Sequence, residues 1–521
     1  MASTFRLRLV LMFAIGMASA CSPPTIGPEA GRRLLDQAAA AMGGWSALEQ
    51  IKSQEIQSSG TDWEPLQAIE PTAEPRQINS FNQVLQVDFA NKRMRLTFDA
   101  SRTYPTPAPV QFVEVISDNA GMLVDSNERL HPSRLATRLR DYDRLPARLL
   151  FTARDATDLT RAEDRVVEGV TVQVLKYTDG GTPAEIQIDT RAKIPVRVVY
   201  MEDDPVYGDT PNELVFSDWR EYGGVRLPET QITLLDGKKV REEHVRSLIL
   251  NPPLGETLFE IPESVRAQPE DGQRIVSQWV LRRVAMGVAY QDFGREQKVE
   301  LVPVTNGVFH IRGGSHHSMV IEMRDHLIVV EAPLFDERSL AVIRTLEERF
   351  PNKPIKNLIV THFHFDHTGG VRAYVAKGAT ILAHDSILEF LNEMIQRPHT
   401  LRPDSLARER LTSTITPSIG RISPVQVLTD GQRRVEVRDI PNDHATGMSV
   451  AYLPRERIVF VADLYSPPGP TPNPSVIFER GRAQAFYDAL KASRLSVETI
   501  VGGHGGVGTL RELEEALAAA R

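Results

Sequence analysis

Thr361-His362-Phe363-His364-Phe365-Asp366-His367-Thr368-Gly369-Gly370 is the stretch on which the reading of this chain turns. It follows an apolar run, Leu358-Ile359-Val360, that reads as a strand. In an extended chain the side chains at i and i+2 point the same way, so His362 and His364 can grip one ion together. Asp366 and His367 come next. Gly369-Gly370 is expected to let the loop turn into a helix, so that these two residues face a second ion beside the first. Imidazole and carboxylate donors suit zinc and other first-row metals, and a set without thiolate excludes a structural cysteine site.

Further candidates lie downstream. His444 occurs in Asp443-His444-Ala445-Thr446-Gly447. Asp463 ends the apolar run Val459-Phe460-Val461-Ala462, and His504 stands in Gly502-Gly503-His504-Gly505. Of the 13 histidines, only His131 and His244 precede residue 300. Packing creates no need for such a bias, whereas metal chemistry does. Around these motifs, strand-like runs (Leu301 to Val304, Val308 to Ile311, Met319 to Met323, Leu327 to Val330) give way to alternating strands and helices. That rhythm predicts α/β organisation.

The H-x-H-x-D-H spacing, with the later motifs in order, resembles the metallo-β-lactamase fold superfamily over residues 299–521. The resemblance implies an αββα sandwich. It further implies a first metal held by His362, His364 and His444, a second held by Asp366, His367 and His504, and Asp463 bridging them. The expected cofactor is two Zn2+, with iron or manganese as alternatives. A water shared by two such ions loses a proton near neutral pH, its pKa falling from about 16 to roughly 7, and the hydroxide attacks a carbonyl or phosphoryl centre. Asp366 is the catalytic candidate, orienting the nucleophile or passing a proton to the leaving group. The expected activity is hydrolysis of an ester, thioester, lactone or amide of a small molecule. Two other readings stand beside it: an iron-dependent oxygenase or redox enzyme on the same fold, and an envelope lipid-binding protein with a regulatory metal domain. Glu331 is a candidate support for a ligand histidine. His384, His316-His317 and the Pro-rich stretch Ser466 to Ser475 are read chiefly as loop residues near the cleft.

Residues 52–262 have a different texture. Short β-rich segments with period-two alternation (Val84 to Phe89, Arg93 to Phe98, Val110 to Ile116, Val170 to Tyr177) are separated by turns such as Asp179-Gly180-Gly181. A mostly antiparallel curved sheet follows. The runs Trp219 to Pro228 and Asn251 to Pro262 resemble the outer-membrane lipoprotein carrier fold, a half-open β-barrel with helices in its mouth. That resemblance covers residues 30–265 and implies a concave apolar face for a hydrophobic or lipid ligand. Residues 266–298 are polar, with one helical stretch, and read as a linker.

The first 20 residues read as an export signal. Arg6 and Arg8 precede a short apolar run, Leu9 to Ala18, and Ala18-Ser19-Ala20 offers small residues for cleavage. Cys21, the single cysteine, then resembles the lipidation site of bacterial lipoproteins, with 21–29 as its tether. The expected location is the periplasm, with membrane contact only through an N-terminal lipid anchor on the outer membrane. The 521 residues allow two or more domains, and 41% hydrophobic and 25% charged content are ordinary for a globular protein. A net charge of −8, with no basic cluster, argues against a nucleic-acid partner.

Overall fold

A computed structural model of the chain describes residues 26–469 and 479–519. The signal-like stretch 1–20, Cys21 and residues 470–475 of the Pro-rich stretch lie outside them. Among the described residues, no helix is long and apolar enough to cross a membrane.

The N-terminal half is one large antiparallel sheet of fourteen strands. The alternation read from the sequence is what lets it curve around a core. In the strand Arg93–Arg102, for example, Met94, Leu96, Phe98 and Ala100 are buried and their neighbours are less so. Sequence neighbours are sheet neighbours almost throughout. Two pairings depart from this: Thr160–Arg161 pairs with Val170–Asp179 past the short strand Arg165–Val167, and the first strand, Ser53–Glu64, pairs with the last, Lys238–Leu250, and so joins the two halves of the meander. A cavity of about 200 Å³ lies on the sheet and is lined by Leu96, Phe98, Leu214, Tyr142 and Leu281, among others. Charged side chains, including Asp62, Arg138 and Arg241, share that lining.

The C-terminal half is a four-layer αββα sandwich. One sheet has seven strands, from Glu300–Thr305 to Ser418–Ile422, and the other has six, from Val425–Thr429 to Val507–Thr509. Ile321, Ile328, Val330 and Ile359 of the first sheet pack on Val437, Ala451, Phe460 and Val501 of the second. Strands such as Leu327–Val330 and Ile458–Val461 are buried at every position, which is why they read as unbroken apolar runs. Helices Arg480–Ala492 and Leu510–Ala519 cover the outer face of the second sheet. The last helix opens on a capping box: Thr509 N–H donates to Glu512, and Glu512 N–H donates to the Thr509 hydroxyl.

The segment 266–298 is not a solvated linker. It holds the helix Gln278–Met286, in which Trp279 and Arg283 are fully buried. The charges that made it read as polar are consumed internally. Arg282 pairs with Glu64 and Asp204, and Arg283 pairs with Glu64 at 3.0 Å. The Arg283 guanidinium also lies 3.4 Å from the centre of the Phe365 ring, inside the metal-binding motif. Leaving either arginine buried without its carboxylate would cost about 3–5 kcal/mol. This helix therefore wedges the N-terminal sheet and the sandwich together.

A buried histidine beside the wedge gives the fold an acid limit. His131 caps the helix Pro132–Asp143: its Nδ1 accepts from Ser133 N–H, so Nε2 carries the proton and donates to the Gln291 carbonyl. Burial pushes its pKa down to about 4, and Arg295 pushes the same way. The folded value lies below the unfolded one of about 6.5, so below pH 6.5 the unfolded chain gains a proton that the folded chain refuses. Stability from this group falls as pH drops from about 6.5 to 4, by roughly 3 kcal/mol in full. Urea titrations across that window should show this loss, and His131→Asn, which keeps a capping oxygen, should flatten the slope by one proton. An unchanged slope would remove His131 as the cause.

Candidate metal centre

The candidate ligands sit just past the end of a strand, in a braced loop, or in a short helix that follows at once. His362 and His364 follow the strand Ile355–Ile359 in extended chain, with Phe363 buried between them. His364 caps the short helix Phe365–Thr368, which carries Asp366 and His367. Asp463 follows Ile458–Val461, and His504 follows Thr499–Gly502. His444 is in a loop tied by Asn442, whose side-chain oxygen accepts from His444 N–H and Ala445 N–H.

Gly369 and Gly370 serve the loop in a way the sequence did not show. Neither has a left-handed φ, at −59° and −105°. What they provide is proximity. A Cβ at Gly369 would lie 1.9 Å from the Leu334 carbonyl, and one at Gly370 would lie 2.1 Å from Ser339 Oγ. They let the metal loop press against the segment 331–339.

The structure brings all seven candidate ligands together as two groups. His362, His364, His444 and Asp463 form one, and Asp366, His367, His504 and Asp463 form the other. Within each group the donor atoms lie within 4.8 Å of one another, and Asp463 belongs to both. The donors fit a cation. His362 Nε2 and His364 Nδ1 are buried nitrogens with no hydrogen-bond partner. A buried polar atom without a partner costs free energy, which an ion bound there would recover.

The other nitrogen of most ligands is tied down, which fixes the tautomer. His364 Nε2–H donates to the Ala68 carbonyl at 2.8 Å, leaving Nδ1 bare. His362 Nδ1 pairs with the Thr361 hydroxyl at 3.0 Å. His367 Nδ1–H donates to Glu331, whose other oxygen accepts from Thr361 N–H. Glu331 thus supports a ligand histidine. It holds φ at +77°, a conformation that costs a non-glycine residue about 1–3 kcal/mol and clusters at functional sites.

Charge balance follows from the same geometry. Burial pushes the imidazoles of His362, His364 and His444 down, His364 to about 3, so they are neutral, ligand-ready bases at neutral pH. Burial also pushes the Asp463 carboxyl up, but His367, His504 and His444 outweigh it and hold Asp463 well below the carboxylate range. Asp463, Glu331 and Asp366 in turn overcome burial and hold His367 well above the usual imidazole range.

His316, which the Gly313-Gly314 turn was expected to bring toward the cleft, lies with its Nε2 3.3 Å from Asp366 Oδ2 and its ring 4.6 Å from that of His504. His317 is buried beside His310 rather than in the ligand groups. His384 is outside them too, and packs on Gly447 behind the His444 loop. Gln67 and Tyr104, from the N-terminal half, reach the centre and carried no signal in the sequence: Gln67 Nε2 donates to Asp366 Oδ1 at 2.9 Å, and the Tyr104 hydroxyl donates to Gln67 Oε1 at 2.8 Å.

Residues 296–504 match the family described as the Metallo-beta-lactamase superfamily, and the C-terminal domain is a metallo-beta-lactamase-like domain of that superfamily. A 2,4-dinitroanisole O-demethylase subunit alpha from a Nocardioides species is 30% identical over 178 residues, 34% of this chain and 49% of that protein. A linear primary-alkylsulfatase from a Pseudomonas species is 32% identical over 76 residues, 14% of this chain and 11% of that protein. The chain thus spans half or less of the length of these relatives. A metallo-beta-lactamase from Pseudomonas aeruginosa, solved in a mono-zinc form, aligns over 43% of this chain and 97% of its own with a TM-score of 0.32 and 21% identity.

The Glu331 contact gives a direct test of the ligand geometry. In Glu331→Gln the amide cannot accept both N–H groups, so an NH2 faces either Thr361 N–H or His367 Nδ1–H. Relief at His367 requires the tautomer that cannot present Nε2. The cobalt-loaded variant should therefore show an altered visible spectrum, with affinity at the His367-containing group lower by about 10–100-fold. A spectrum and titration identical to those of the parent would contradict the assignment.

Proposed function

We propose that this chain is a hydrolase that uses two zinc ions to cleave an ester, thioester, lactone or amide bond of a small molecule. The observation that carries this reading is the pair of four-donor groups sharing Asp463. The donor set, imidazole and carboxylate without thiolate, suits zinc. A bound zinc pair supplies Lewis acidity and lowers the pKa of a shared water from about 16 to roughly 7.

The chain's own residues do the rest. Asp463 would hold both ions at a fixed separation. Asp366 faces two ways: Oδ1 accepts from Gln67, while Oδ2 faces His316, His367 and His504 at 3.3, 3.5 and 3.8 Å. That grip keeps the carboxylate in one rotamer, able to orient the attacking water and hold the proton it gives up. His316 hydrogen-bonds the same oxygen and steadies it. The ligands are almost completely buried, so bulk water is largely kept from the reacting atoms.

A second reading, an anionic ester such as a sulfate ester, is favoured by two guanidinium groups at the ring of Tyr104, which is linked to Asp366 through Gln67. Arg76 and Arg482 lie 4.4 and 5.8 Å from the centre of the Tyr104 ring. The carboxylate paired with Arg482 is Glu479, no closer than 3.8 Å. One relative carries the name alkylsulfatase.

A single screen separates these readings. Zinc-loaded protein is assayed on nitrocefin, lactones, thioesters, carboxylic esters, and phosphate and sulfate esters, with Asp366→Ala as the blank. Two zinc ions per chain are expected, with turnover lost by about 10²-fold or more in the blank. If the substrate is anionic, Arg482→Ala should raise KM with little change in kcat. One iron per chain in protein purified without added metal, or full turnover by Asp366→Ala, would overturn the proposal.

A further inference from the structure

The strand Ser53–Glu64 does not end in solvent. It runs through the single turn Pro65–Gln67 into the metal centre, where Leu66, Gln67 and Ala68 are all buried. Three successive residues then bond to two ligand-bearing segments. Gln67 donates to Asp366, the Ala68 carbonyl accepts from His364, and the Ile69 carbonyl accepts from Thr446 N–H, two residues beyond His444.

The direction of each bond is fixed by chemistry. An ionised Asp366 only accepts, so Gln67 presents its NH2 to it and its oxygen to Tyr104. Burial, with Asp463 adding to it, pushes the Tyr104 hydroxyl above the ordinary phenol range, so it stays protonated and donates. Tyr104 is held in turn by Arg76 against its ring. The chain Tyr104–Gln67–Asp366 therefore occupies one carboxylate oxygen and turns the other toward His367 and His504. At His364, a carbonyl can only accept, so Ala68 forces the proton onto Nε2 and leaves Nδ1 bare toward the first group.

We propose that Gln67, Tyr104 and the Ala68 carbonyl are positioning residues of the metal centre, so that the N-terminal domain is a working part of the site. The proposal rests on the dinuclear reading above. It gives the 65–69 segment a role that no ligand motif announces: Gln67 sets the second metal position through Asp366, and Ala68 sets the first through His364.

The test uses the full chain and reads metal affinity. Stepwise zinc affinities are measured by chelator competition for the parent, Gln67→Ala and Tyr104→Phe, with thermal melts of the metal-free proteins as the check on folding. Gln67→Ala should weaken the Asp366-containing site by about 10–100-fold and leave the other within about threefold, as loss of an outer hydrogen bond to a ligand does. Tyr104→Phe, which keeps the ring, should shift the same site in the same direction by less. Affinities in both variants within twofold of the parent would overturn the proposal. So would equal weakening of both sites, which would mark a general loss of structure. A parent that binds fewer than two ions would instead overturn the dinuclear reading and remove the proposal's basis with it.

Discussion

Asp463 is the constraint around which the rest is arranged. Its carboxylate lies 2.7 Å from His367 Nε2, 3.0 Å from His444 Nε2 and 3.1 Å from His504 Nε2, in a region almost closed to water. Five imidazoles and two carboxylates packed so tightly would be a poor core without a cation, since buried polar atoms need partners. The sandwich tolerates the cluster because the ligands sit just past the end of a strand, in a braced loop, or in a short helix that follows at once. Precision then comes from the layer outside the ligands. Glu331, Thr361 and Ala68 each hold a ligand's second nitrogen, and Gln67 holds Asp366.

That outer layer crosses the domain boundary. Glu64 joins the arginines of the wedge helix, and three residues later Gln67 joins the metal loop. Arg283 stacks on Phe365, which lies between His364 and Asp366 in the chain. One stretch of strand thus serves the interface and the site together. A variant that loosens the interface would be felt at the candidate metal centre, and the two domains are better treated as one mechanical unit.

The sequence made the candidate ligands legible because their spacing is local. H-x-H-x-D-H at a strand end places four donors with little help from the rest of the fold, and His444, Asp463 and His504 each carry flanking residues that mark a strand end or a turn. The α/β organisation was legible in the alternation of apolar strands and helices, and the four-layer sandwich through the resemblance that the ligand motifs carry. The alternation in residues 52–262 likewise announced an antiparallel sheet. What stayed hidden depends on contacts distant in sequence. Gln67 meets Asp366 across 299 positions and has no periodicity to betray it. The helix Gln278–Met286 read as a linker because its arginines look solvated until Glu64 and Asp204 are placed beside them. Gly369 and Gly370 form the turn into the helix Val371–Ala376 that the sequence announced, and they also allow a close contact with the segment 331–339 that it did not.

The central claim is that two ions share Asp463, one among His362, His364 and His444 and the other among Asp366, His367 and His504. Anomalous diffraction at the zinc edge from crystals of the zinc-loaded full chain tests it most directly. The account predicts two peaks, one in each group, with Asp463 touching both. A single peak, or a second one placed away from Asp366, His367 and His504, would contradict it.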